Sequence, residues 1–287
     1  MSQNILPLIK VKELLKLTQT KNLVIVDASN GENTKANYKE RHLDGALFVD
    51  LDMHLSDIKQ DVSIGGRHPL PTNKQFSETL TNLGITEKSH VVVYDDKNGA
   101  NSASRFWWML RSVGHKKVQV LDGGFQEAVK KGFPINSKVE KVNTKNVYTV
   151  TEWKLPQAHL DEVETGSQNK NYIIIDVRES DRYHGVNEPI DLIAGHIPGA
   201  INVSFASNLD VNGLFMSPQD LRAKYQSIFK NTHSDNIIVH CGSGVTACHT
   251  LLALDYAGFE IPKLYVGSWS EWSRNNKIIV TKNTNHQ

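Results

Sequence analysis

The chain has 287 residues, with 32 Lys and Arg against 31 Asp and Glu, and a net charge of +1 with histidine neutral. That length suits two hydrophobic cores better than one. The balanced charge offers no basic stripe for nucleic acid, and no apolar run approaches the roughly 18 residues needed to span a membrane.

The N-terminal residues carry neither a secretory nor a transit-peptide pattern. Two cysteines make no disulfide framework. A soluble, reducing, cytoplasmic setting is expected, one in which a thiol stays free to react.

In chain order, the helical spacing of apolar residues predicts a helix over 11–17 and the β-branched run at 23–27 predicts a strand. Thr72 is placed to cap a helix that runs to Leu83 and stops at Gly84. Strands follow at 91–94 and 118–121, with a helix over 104–113 between them. Strands alternating with helices predict a parallel α/β sheet.

The same order then recurs. Ile173-Ile-Ile-Asp176 matches Val24-Ile-Val-Asp27, and Gly195-His-Ile-Pro-Gly-Ala200 matches Arg41-His-Leu-Asp-Gly-Ala46. Asn236-Ile-Ile-Val-His240 matches His90-Val-Val-Val-Tyr94, and Tyr265-Val-Gly-Ser-Trp269 matches Leu121-Asp-Gly-Gly-Phe125. Turn residues repeat along with strands, which points to a duplicated domain. The expected division is a first domain over 1–135, a polar Lys- and Asn-rich linker over 136–152, and a second domain over 153–287.

The halves differ after their central strand. The second has Cys241-Gly-Ser-Gly-Val-Thr246, followed by an apolar helical segment ending at Gly258. The first has Asp95 where the second has Cys241. A thiol at the start of such a loop faces backbone N–H groups and the positive end of a helix, and both favour thiolate. Gly242 and Gly244 let the backbone curl around an anion. Cys241 is therefore the candidate nucleophile. The alternative, an inert buried thiol, suits Cys248 better, because Cys248 falls inside the helix.

These features resemble the rhodanese-type sulfurtransferases. The residues that carry the likeness are Asp176-Val-Arg178, Arg182-Tyr-His-Gly185, Gly195-His-Ile-Pro-Gly-Ala200, the cysteine loop and Gly267-Ser-Trp-Ser-Glu-Trp272. The loop, with His68-Pro-Leu-Pro71 and Phe106-Trp-Trp-Met109, is similar to the 3-mercaptopyruvate branch. The thiosulfate branch has Arg-Lys after the cysteine.

The resemblance implies two tandem rhodanese-like α/β domains, each a mainly parallel sheet with helices on both faces and only the second catalytic. It implies sulfur transfer from 3-mercaptopyruvate through a Cys241 persulfide to a thiol such as reduced thioredoxin, or to cyanide, with pyruvate released. No metal or organic cofactor is implied. Arg182 matches the substrate-binding arginine and Ser243 a residue proposed to assist proton transfer. Gly242, Gly244, Val245 and Thr246 complete the expected binding loop.

The family often has a second arginine after a Glu-Pro pair, but here Glu188-Pro189 is followed by Ile190. Arg105 and Arg111 are the sequence's candidates for that missing cation.

Other readings weigh against these. A thiosulfate sulfurtransferase or a non-catalytic persulfide carrier would use the same cysteine. A cysteine phosphatase needs an arginine where this loop has Ala247. Arg178, beside a strand Asp, reads as structural. His42 and His196, equivalent in the repeat, read as turn residues, and Trp269 and Trp272 as core. His240, Cys241, Cys248 and His249 lack a zinc-site spacing.

Overall fold

A computed structural model describes residues 5–142 and 146–281. The chain folds into two compact units. The first comprises residues 1–57, 71–154 and 211–215, and the second 58–70, 155–210 and 216–287.

Two short segments are thus grouped away from their sequence neighbours, 58–70 with the second unit and 211–215 with the first. Part of the expected linker, 143–145, lies outside the described residues. The rest of it up to Lys154 is grouped with the first unit. Tyr148 and Val150 are buried there, and their N–H groups donate to the hydroxyls of Thr81 and Ser77.

In the first unit the elements run β1 (Leu8–Ile9), α1 (Val11–Leu17), β2 (Leu23–Asp27), α2 (Thr34–Glu40), β3 (His42–Leu43), β4 (Ala46–Phe48) and α3 (Leu51–His54). They continue with α4 (Asn73–Asn82), β5 (His90–Tyr94), α5 (Ser102–Ser112), β6 (Val118–Leu121), α6 (Gly124–Lys130) and β7 (Ile135–Asn136). Helix α4 starts as the sequence predicts: the Thr72 hydroxyl accepts from Gln75 N–H, and the Gln75 side-chain oxygen accepts from Thr72 N–H.

The second unit holds β8 (Gln157–Ala158), α7 (Leu160–Ser167), β9 (Ile173–Asp176), α8 (Ser180–Tyr183), β10 (Ile201–Asn202) and α9 (Pro218–Phe229). It ends with β11 (Ile237–His240), α10 (Ala247–Tyr256), β12 (Lys263–Tyr265) and α11 (Ser268–Trp272).

Both main sheets are parallel and five-stranded. Their orders are β1-β6-β5-β2-β4 and β8-β12-β11-β9-β10. Substituting each strand by its repeat partner converts one order into the other, so the duplication extends to topology. Each sheet has its own core. Ile25, Val92, Tyr94 and Leu121 pack with α1 and α6 residues in the first, and Ile174, Ile238, Trp269 and Trp272 cluster in the second. Val91 and Val93, pointing to the other face, are equally buried, so helices cover both faces as a parallel sheet requires.

The repeat also preserves a turn lock. His42 Nδ1 lies 2.6 Å from the Tyr38 carbonyl and His196 Nδ1 lies 2.8 Å from that of Tyr183. Each ring stacks on that same tyrosine, with centroids 4.2 and 3.8 Å apart. These histidines hold turns, as equivalence in both halves predicts.

The Asp95 loop shows what the strand-to-helix turn demands. Its buried carboxylate accepts N–H bonds from Lys97, Gly99, Asn101 and Ala103 at 2.8–3.2 Å. Burial pushes its pKa up, and the four amides hold it back. Removing the carboxylate leaves those donors unpaired. Asp95→Ala is expected to lower the free energy of unfolding by about 3 kcal/mol, read by urea titration. An unchanged midpoint would show that this turn does not depend on its anion.

Candidate active site

Cys241 follows β11 directly, so the central, fully buried strand of the second sheet places it. Two backbone bonds fix its loop against α11: Trp269 N–H donates to the Cys241 carbonyl at 3.0 Å and Ser270 N–H to that of Gly242 at 2.9 Å. Cys241 N–H donates to the Ser268 hydroxyl at 3.2 Å, and that hydroxyl donates to the Tyr265 carbonyl. Gly244 has φ +72°, and a methyl group there would lie 2.4 Å from the Val266 carbonyl oxygen. Only glycine fits that close approach.

The loop leads into α10. Among the described residues, no hydrogen bond takes up the N–H groups of Ser243, Val245, Thr246 or Ala247. In the first unit the amides that match Ser243, Val245 and Ala247, those of Lys97, Gly99 and Asn101, grip Asp95. The second unit therefore keeps the anion-binding turn and places a thiol where the first places a carboxylate. Cys241 is a free cysteine, 3 % exposed. Its sulfur sits on the floor of the site and not on an open surface.

Two guanidiniums flank the loop. A methyl group built on Gly242 would lie 3.0 Å from Arg67 Nη2 and 3.2 Å from Arg182 Nη2. Arg182, expected from the resemblance to bind substrate, is thus brought beside the cysteine loop. Arg67 was not anticipated. Arg105 and Arg111, the expected substitutes for a second cation, lie on α5 of the first unit, and Arg105 is fully buried.

Carboxylates hold these arginines. Arg182 Nε donates to both Glu188 oxygens at 3.0 and 3.1 Å, and its Nη2 to Asp191 at 3.3 Å. Arg67 Nε reaches Asp191 at 3.1 Å, and Arg274 reaches it at 3.2 Å. Burial tends to raise the Glu188 carboxyl, but its bonds from Arg182 and from the amides of Asp191 and Ile190 prevail and leave it below the usual range.

Arg178 is structural, as its sequence position predicts. Its guanidinium is 1 % exposed and donates to Asp176, Glu188 and the Gly195 carbonyl, over the face of Trp269. Asp176 is wholly buried, which opposes its charge, but His240 and Arg178 beside it bring its pKa below normal. His240 is itself pushed down by burial, which favours the neutral ring.

Ser243 carries a second unanticipated contact. Its Oγ lies 2.7 Å from His68 Nδ1. The sequence analysis used His68 only as part of a family likeness. His68 lies on a strap that is tied down just ahead of it. Gly65 N–H donates to Glu271 at 2.7 Å and Arg67 N–H to Ser270 Oγ at 3.0 Å. A methyl group on Gly66, φ +77°, would meet the Gly267 carbonyl oxygen at 2.3 Å. A Gly-Gly pair ahead of Arg-His-Pro was the available signal for such a strap.

Cys248 is buried in α10, and its Sγ donates to the Gly244 carbonyl at 3.4 Å. It supports the loop backbone. Among the described residues there is no cluster of three or more His, Cys, Asp or Glu side chains placed to hold a metal, and no helix is long and apolar enough to cross a membrane.

Comparison with known proteins agrees with this architecture. The rhodanese-like domain model matches twice, at residues 10–131 and 159–275. A probable 3-mercaptopyruvate sulfurtransferase of Pseudomonas aeruginosa is 37 % identical over 239 residues, covering 82 % of each chain. A thiosulfate sulfurtransferase of Rattus norvegicus is 36 % identical over 260 residues, covering 88 % of this chain and 85 % of that one. The crystal structure of a 3-mercaptopyruvate sulfotransferase of Escherichia coli superposes with a TM-score of 0.76 at 29 % identity, over 93 % of this chain and 100 % of that one. Two matched domains and relatives above one-third identity over most of their length leave one conclusion: this chain belongs to the rhodanese family of sulfurtransferases.

Proposed function

We propose that the chain transfers the sulfur of 3-mercaptopyruvate, through a persulfide on Cys241, to a small thiol or a thiol protein such as reduced thioredoxin. The observation that carries this reading is the cysteine loop itself. It is a turn whose counterpart holds a carboxylate with four amides, it bears a free thiol, and Arg182 and Arg67 stand over it.

The first step balances as follows. The Cys241 thiolate attacks the substrate sulfur, the carbon–sulfur bond breaks, and its electron pair passes to the enolate of pyruvate. The proton of the substrate thiol ends on the enolate carbon, so the products are pyruvate and an anionic persulfide. The amides of Ser243, Val245, Thr246 and Ala247 stabilise that outer sulfur without rearranging. Arg182 binds the carboxylate with its planar fork. Ser243 and His68, 2.7 Å apart, form the relay for the proton. In the second step an acceptor thiolate attacks the outer sulfur, and Cys241 leaves as thiolate. A reducing, cytoplasmic compartment suits a thiol that must return to that form after each cycle.

The relatives carry both names at nearly equal identity, so the choice of donor rests on the loop. It has no basic side chain of its own between Cys241 and Thr246. A carboxylate donor uses the two flanking guanidiniums, whereas the thiosulfate dianion gains less without charge beside the sulfur. kcat/KM is expected to be higher for 3-mercaptopyruvate than for thiosulfate. Equal or reversed values would overturn the donor assignment and leave the family intact.

Incubation with 3-mercaptopyruvate should add the mass of one sulfur atom to the wild-type chain and none to Cys241→Ser. A wild-type chain that stays unloaded would favour a persulfide carrier charged by another enzyme.

The relay has its own test. Ser243→Ala and His68→Ala are each expected to lower kcat about a hundredfold. The double variant should lose no more than the worse single one, because the pair acts as a unit. Fully multiplicative losses would separate the two residues.

A further inference from the structure

Two guanidiniums, one from Arg182 and one from Arg67, meet beside Gly242. We propose that Arg67, delivered by the strap before His68, is the second guanidinium that binds the α-keto carboxylate of the substrate. The proposal rests on the reading of Cys241 and Arg182 given above and adds to it a residue from a different part of the chain.

Position is the first argument. Arg67 Nη2 and Arg182 Nη2 lie 3.0 and 3.2 Å from the same point, the place a side chain on Gly242 would start. Two planar forks meeting beside the residue after the nucleophile make a site for a flat, twice-oxygenated anion. Gly242 is the residue that leaves room for both.

Unused capacity is the second. Arg67 spends Nε and Nη2 on Asp191, and Arg182 spends Nε and Nη2 on Glu188 and Asp191. Among the described residues, no hydrogen bond engages Nη1 of either. Both side chains keep some exposure, 24 % for Arg67 and 13 % for Arg182. A ligand can reach the donors that the protein leaves open.

Charge balance is the third. Asp191, with its side chain wholly buried, gathers Arg67, Arg182 and Arg274, while Asp176 and Glu188 hold Arg178 and Glu188 also holds Arg182. Four guanidiniums meet three carboxylates there, an excess of one positive charge before Cys241 or a ligand adds negative charge of its own. Asp191 sets the spacing of the two forks before any substrate arrives, which lowers the entropic cost of binding.

Rigidity is the fourth. The strap that carries Arg67 is fixed at Gly65, Gly66 and Arg67 against α11, the same helix that fixes the backbone of Cys241 and Gly242. The cation and the nucleophile loop are therefore referenced to one element.

The test measures carboxylate recognition separately from chemistry. Arg67→Ala should raise KM for 3-mercaptopyruvate about tenfold to a hundredfold, with a much smaller change in kcat. Pyruvate, which has the carboxylate and ketone but no sulfur, should weaken as a competitive inhibitor by the same factor. Arg67→Lys, which keeps the charge and loses the fork, should fall between wild type and Arg67→Ala, and its Tm should match wild type.

An unchanged KM and unchanged pyruvate inhibition would overturn the proposal. So would a fall in kcat with pyruvate inhibition intact, the pattern of a merely structural arginine. If Arg67→Ala does not fold, Arg67→Lys decides: no weakening of pyruvate there overturns the assignment. If the wild-type chain loads no sulfur, the substrate reading fails first. Calorimetric binding of pyruvate to wild type and Arg67→Lys then decides Arg67 alone, and equal affinity, or none for wild type, would rule it out.

Discussion

A turn from a buried parallel strand into a buried helix leaves backbone N–H groups with no carbonyl to receive them, and that unmet demand organises this protein. Inside a fold such donors must find an anion or remain unpaired at a cost. The first unit answers the demand permanently with Asp95, whose carboxylate accepts from four amides. The second places Cys241 there, a free thiol that in the proposed reaction carries the negative charge on one or two sulfurs. Duplication thus supplies an internal comparison. The same turn is closed by a carboxylate in one copy and bears a free thiol in the other.

Charged side chains surround the loop of that thiol. Buried carboxylates compensate the arginines, and the network is stable because each charge has several partners. Asp176 bonds Arg178 through backbone and side chain, Glu188 bonds two arginines and two amides, and Asp191 bonds three arginines. A lone charge buried this deeply would be neutralised or would unfold its site. The network leaves a positive surplus, and that surplus stands over Gly242. Trp269 and Trp272 add apolar packing beneath it, and each indole N–H is satisfied by a carbonyl, from Ile193 and Ile278 respectively.

The strap at 58–70 shows how a residue distant in sequence enters a site. Its position depends on Gly66 at positive φ and on hydrogen bonds to residues about two hundred positions away. Periodicity carries no information about such contacts. The loop amides and the helix after them obey local rules, so they are legible from the chain, whereas Arg182 is expected from the family resemblance. Arg67 and the His68–Ser243 contact obey a long-range one.

The sequence by itself determined the two α/β units, their parallel strands, the difference between Asp95 and Cys241, the structural place of Arg178 and the histidine turns. Each of these is written in local patterns: β-branched runs, caps, glycine stops and motifs repeated in order. Tertiary structure alone decided which unit claims residues 58–70 and 211–215, which hydroxyl meets His68, and which second guanidinium stands beside Gly242. The reason is geometric. A side chain's charge is a property of the residue, but the distance between two charges belongs to the folded chain.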